Sequence, residues 1–131
     1  MKRTPIVSAV LTSVLACGAA LFLSAGCQST HEEGVTSDMR SQWTTVMANT
    51  EASTAAAKAV LESEGLKDIT ASSTAVDGKA TGKKADGTKI DVSIKKKTDT
   101  SSEVTVTVGT MGSPTLGAEL AKKIKEKAEA K

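Results

Sequence analysis

Lys89-Ile90-Asp91-Val92-Ser93-Ile94-Lys95 alternates apolar and polar side chains without a break, and Glu103-Val104-Thr105-Val106-Thr107-Val108 does so again. Neighbouring side chains of a strand point to opposite faces, so both stretches predict antiparallel strands with one buried face. Upstream, Asp86-Gly87 and Asp77-Gly78 read as tight turns with φ > 0 at both central positions. They bracket a weaker strand over Lys79–Ala85 and follow another over Asp68–Val76. Before these, Asn49, Thr50 and Ser53 are cap-type residues, and Ala52, Ala55, Ala56, Ala59, Val60 and Ser63 recur at helical spacing. Gly65 stops that helix, with Leu66 as its hydrophobic contact. Arg40–Ala48 reads as a first strand, with Trp43, Thr45 and Met47 on one face and Val46 on the other. A single Trp in a small domain is read as its largest core residue. At the far end, Ser113 is placed to cap a helix that starts on Pro114 and buries Leu116, Leu120, Ile124 and Ala128 among lysines. The expected fold is α+β: a four- to five-stranded antiparallel sheet with two helices on one face, in the order β-α-β-β-β-β-α, forming a single domain over residues 40–131.

The leader is of a different kind. Met1-Lys2-Arg3-Thr4-Pro5 is a basic start, Ile6 to Leu23 an apolar run, and Leu23-Ser24-Ala25-Gly26-Cys27 its end. A positive end that stays cytoplasmic and an apolar stretch that partitions into the bilayer make a secretory signal. The last five residues resemble the lipobox of bacterial lipoproteins. That resemblance implies cleavage between Gly26 and Cys27, a diacylglyceryl group on the Cys27 sulfur and acylation of the new amine. Two or three chains, at about 0.8 kcal/mol per buried CH₂, anchor a protein effectively permanently. Ser24 stands where the pattern has Leu, and Val14-Leu15-Ala16-Cys17 offers a second match that leaves a shorter apolar core. An uncleaved membrane helix is a third reading, because the run just reaches spanning length. Residues 1–26 are thus read as a signal peptide, and residues 27–39 as a lipidated cysteine with a polar tether. Gln28, rather than Asp, follows the cysteine, which by the same analogy implies sorting to the outer membrane of a Gram-negative envelope.

Removing residues 1–26 from the 131 leaves 105, and takes Lys2 and Arg3 with it, so the formal charge of +2 falls to zero. That argues against nucleic acid as a partner. Phe22 leaves with the leader, so Trp43 is the one remaining aromatic. The apolar residues suffice for one thin core and not for a deep substrate cavity. No thiol follows Cys27, so the mature domain contains no intrachain disulfide. His31 has no second histidine or cysteine to share a metal and reads as a solvated tether residue.

Gly65-Leu66, Ala85-Asp86-Gly87-Thr88-Lys89 and Glu103 to Gly109 followed by Met111-Gly112, in that order, resemble a family of small bacterial lipoproteins known only as a domain of unknown function. Its pattern is a lipobox leader, an alanine-rich helix ending in Leu-Gly-Leu, an Ala-Asp-Gly-Thr turn, a strand ending in Val-Gly, and a Gly-Asp step into a terminal helix. Here Glu64 replaces the first of those leucines and Ser113 the aspartate. The resemblance implies an envelope location and a compact α+β fold, and brings no activity.

Catalytic arrangements are missing from the mature sequence: a Cys–His pair is excluded, and acid–base groups suited to neutral pH are nearly absent. No enzyme activity, metal or cofactor is expected. Gly109 to Ser113 leads into a helix N-terminus, which can hold an anion but reads first as a glycine-permitted turn. Charge is unevenly spread: residues 28–76 carry a net −4, residues 77–97 a net +4, and residues 98–131 balance. Lys79, Lys83, Lys89 and Lys95 can line the exposed face of one hairpin, with Lys84 at its end. They read first as solubilising, edge-blocking residues, and alternatively as a contact for an anionic ligand, lipid or envelope polymer. The leading expectation is a non-enzymatic, lipid-anchored envelope protein of structural or binding role. It touches the membrane through its acyl chains and leaves room for an envelope partner.

Overall fold

Ile90, Val92 and Ile94 are buried and lie opposite Val108, Val106 and Val104, so the two alternating stretches pair on their apolar faces. They are the centre of the sheet in a computed structural model that describes residues 34–130. The leader, Cys17, Cys27 and His31 lie outside the described residues.

In chain order the elements are β1 (Val35–Ser37), β2 (Ser41–Val46), α1 (Thr50–Ser63), β3 (Lys67–Ser73), β4 (Asp77–Lys83), β5 (Lys89–Lys96), β6 (Ser102–Val108) and α2 (Pro114–Glu129). All six strands are antiparallel, in the order β1-β2-β6-β5-β4-β3. Both helices pack on one face; α1 covers β3–β5 and α2 covers β1, β2 and β6. The core between them includes the inward β5 and β6 residues with Val46, Val60, Leu61, Ala80, Leu120, Ala121 and Ile124.

The architecture is the expected α+β sheet with two helices, enlarged by one strand. Residues 35–37, with only Val35 as a large apolar side chain, pair with β2 because Val35 turns under α2 and Thr44 Oγ1 donates to the Gly34 carbonyl at 2.7 Å. Two turns differ in detail. Asp77 and Gly78 already belong to β4, and the reversal is made by residues 74–77, closed by the Thr74 N–H to the Asp77 carbonyl at 2.7 Å. Gly78 is needed on the buried face, where an added Cβ would collide with Thr54 Oγ1 of α1. The other reversal spans residues 84–88, and of its central residues only Gly87 has positive φ.

The buried face of α1 is also rotated from the alanine stripe. Ser53, Thr54, Ala57 and Leu61 point inward with Ala56 and Val60, while Ala55 is exposed. Hydroxyls tolerate that position because each finds a partner. Ser53 and Ser102 hydroxyls are 2.6 Å apart, Ser102 donates to the Ala48 carbonyl at 2.9 Å, and Thr54 donates to the Thr50 carbonyl at 2.7 Å. Trp43 is not in the core. It stands half-buried on the uncovered face, opposite Thr36 and Thr105, because Gln42, Thr44 and Val46 take the inward positions of β2.

Candidate functional site

On β4, Lys79 and Lys83 alternate with buried Gly78, Ala80 and Gly82; on β5, Lys89 and Lys95 alternate with Ile90, Val92 and Ile94. All four therefore share the uncovered face, as their spacing predicts. Lys84 stands beyond β4, in the turn. The register adds a residue that the sequence does not single out. Lys67 lies opposite Lys83, and Lys83 opposite Lys89, so three lysines stand side by side across β3, β4 and β5. Like charges directly opposite each other on a sheet repel. Lys67 sits in a weak strand far from the hairpin in sequence, and only the pairing reveals it.

Carboxylates answer most of this charge. Lys89 Nζ is 3.4 Å from Asp91 Oδ2, Lys83 Nζ 3.7 Å from Asp68 Oδ2, and Lys84 Nζ 3.6 Å from Asp86 Oδ2. Asp91 Oδ1 is buried and lies 3.6 Å from Lys79 Nζ, an ion-pair distance too long for a hydrogen bond. Lys95 faces Asp77 on one side and Glu103 on the other. These exposed pairs each contribute between zero and about 1 kcal/mol and are weakened by salt. The lysines are thus brought to one face but dispersed among acids rather than gathered into one cationic cluster.

Beside the row, at the end of the sheet, the 84–88 turn and the β6–α2 connection enclose an open cleft of about 600 Å³. Lys84, Lys89, Asp91, Met111, Ser113 and Leu116 help to line it. Ser113 occupies the N-cap position of α2, yet its hydroxyl makes no capping hydrogen bond and the first turn holds no acid. Asp86, in the 84–88 turn, is held below the usual carboxylate range, first by the Thr88 N–H that its Oδ1 accepts at 2.8 Å and then by the Thr88 hydroxyl and Lys84. The cleft is open, and its lining mixes polar with apolar side chains. It offers donors for an anionic or hydroxyl-bearing group and no nucleophile–base pair.

Gln42 is the other unusual polar residue. It is fully buried, its Nε2 donates to the Asp38 carbonyl at 3.1 Å, and its Oε1 has no hydrogen-bond partner. It fits only because position 117 of α2 is glycine, whose missing Cβ leaves room for that oxygen. Among the described residues no three His, Cys, Asp or Glu side chains converge as metal ligands, and no helix is long and apolar enough to cross a membrane.

The family model described as "Protein of unknown function (DUF3568)" matches residues 4–127. The chain belongs to this family. The matched interval of the DUF3568 model covers the helices and strands up to the last turn of α2 and reaches back past Cys27 to residue 4. No curated protein matches the chain.

Proposed function

We propose that this DUF3568 protein is a lipid-anchored, non-enzymatic component of the bacterial cell envelope, held by acyl chains on Cys27 and presenting its α+β domain to the periplasmic side of the outer membrane. The observation that carries the reading is Leu23-Ser24-Ala25-Gly26-Cys27 at the end of an apolar run behind a basic start. The family match supports it by beginning inside that leader, at residue 4. A binding or structural role is supported by the chemistry of the domain. Residues 34–130 contain neither histidine nor cysteine. The carboxylates that shift, Asp38, Asp86, Asp99 and Glu119, are all pulled down by hydrogen bonds from their neighbours, so none is poised as an acid near neutral pH. The test is metabolic labelling with a palmitate analogue and fractionation of the envelope. Label in the protein that disappears in Cys27→Ser, with the wild type in the outer-membrane fraction, is the expected result. Unlabelled protein, or label undiminished in Cys27→Ser, overturns the reading.

The row Lys67–Lys83–Lys89 favours a second reading, in which the uncovered face takes an anionic ligand or envelope polymer that relieves the repulsion between the three ammonium groups. Salt-dependent retention on anionic vesicles, lost when Lys79, Lys83 and Lys89 are replaced by Gln, is its signature; retention unaffected by the replacements rules it out.

A further inference from the structure

Each end of the sheet exposes two large apolar side chains, and the ends differ in how far they lie from the proposed anchor. Val35 pairs with Thr44, so the chain joins the sheet at the end where β2 and β5 finish and β4 and β6 begin. Met47 and Val76, both about two-thirds exposed, sit at this end. The Met47 N–H donates to Glu129 Oε1 at 2.8 Å, which places Met47 beside the last turn of α2. The Val76 carbonyl accepts the Lys96 N–H at 2.9 Å, one step beyond the last β4–β5 pair, Asp77 with Lys95. Met39 and Met111 mark the opposite end, where the backbone of Met39 packs against Gly112.

We propose that the Met47–Val76 end of the domain rests against the lipid surface, with these two side chains among the headgroups, and that the cleft and the Met39–Met111 end point away from the membrane. The inference rests on the anchor at Cys27. Eight residue steps separate Cys27 from Val35, which span at most about 29 Å when fully extended. Val35 shares its row with Thr44, Val104 and Ile94, five residue steps from Lys89, which is about 17 Å along β5, and the turn beyond adds more. An inverted domain would lift Val35 by that much and use up most of the connection's reach, whereas the Met47–Val76 end meets the surface with length to spare. Charge does not choose the orientation. At this end Lys96 Nζ is 2.6 Å from Asp99 Oδ1, Lys97 Nζ 3.3 Å from Glu103 Oε2, and Lys95 faces Asp77 and Glu103. The contact is therefore apolar, as for side chains that dip into a headgroup boundary.

The protein's own methionines read the orientation. Full-length protein purified from membranes and floated on phosphatidylcholine vesicles is exposed to dilute hydrogen peroxide, with sulfoxides followed by mass spectrometry. Met47 should oxidise several-fold more slowly than Met39 and Met111. Lys79, in the middle of the uncovered face, should keep its reactivity toward a water-soluble acetylating reagent. Acylated, floated protein whose Met47 oxidises like Met111 overturns the orientation alone. Protection of Met39 and Met111 shows the inverted domain, and joint protection of Met47 and Lys79 shows the sheet lying flat; either overturns it. The mass of the Cys27 peptide is read from the same sample. An unmodified Cys27 in protein that does not float overturns the anchor, and this inference with it.

Discussion

On the covered face of the sheet, Ile90, Val92, Ile94, Val104, Val106 and Val108 meet the small and branched residues of two helices; one position away in the same strands, the uncovered face carries Lys89, Asp91, Ser93, Lys95, Glu103, Thr105 and Thr107. The first face is held by volume and fit. The second is held by exposed ion pairs and hydroxyls, and among the described residues of its strands Trp43 is the large apolar side chain. The same backbone thus serves packing on one side and leaves the other free to vary in chemistry at little cost in stability.

Substitutions that strike the two faces separately would break this contrast if their costs came out alike. Ile124→Ala, at a fully buried site of α2, is expected to cost about 2–5 kcal/mol in denaturant unfolding, since the methylenes lost leave a cavity. Gly117→Ala should cost about 1–3 kcal/mol, because the new methyl lands on the buried Gln42 side chain and forces it to shift. Pairing it with Gln42→Ala, which frees that space, should recover part of the loss. Trp43→Ala sharpens the comparison. Half-buried on the uncovered face, it should cost about 1–2 kcal/mol, below the 3–5 of a core aromatic. A loss as large as that of Ile124→Ala would make the uncovered face a second core. Smallest is Lys83→Gln, expected within about 0.5 kcal/mol, as it exchanges an exposed pair with Asp68 for relief from Lys67 and Lys89.

Acid should act through the exposed carboxylates rather than the core. Asp38 is lowered by the N–H groups of Arg40 and Ser41, Asp86 by Thr88, Asp99 by Lys96 and Glu119 by Lys123. Each binds its proton less readily folded than unfolded, so its contribution is present above the ordinary carboxylate range, near pH 4, and fades as pH falls through the folded value. Lys123, raised by hydrogen bonds to Glu119 and then Glu64, has the opposite sign: its contribution is full below its unfolded pKa and is lost only in strong alkali. With no histidine in residues 34–130, thermal unfolding between about pH 5 and 9 should be flat.

The strands of strict alternation were legible because burial of one face demands a period of two, and β5 and β6 have it. Leu120, Ile124 and Ala128 were legible for the corresponding reason in a helix. Trp43 misleads because size suggests a core position, whereas parity along β2 is set by Val46 and by Thr44 and Gln42, polar residues that pair or fit inside. Ser53 and Thr54 mislead likewise, since their hydroxyls are satisfied by partners distant in sequence or one helical turn away. The lysine face was legible from parity alone, but Lys67 and the aspartates that answer the row were not, because cross-strand neighbours are a property of register.

By itself the sequence determined the two central strands, both helices and the α+β class, since each follows from a local period. Only the tertiary structure decided the sixth strand, which face Trp43 takes, why positions 78 and 117 are glycine, and which lysines stand opposite one another. Those depend on contacts between segments far apart along the chain, where a gap of one methyl group or a step of one residue in register changes the outcome.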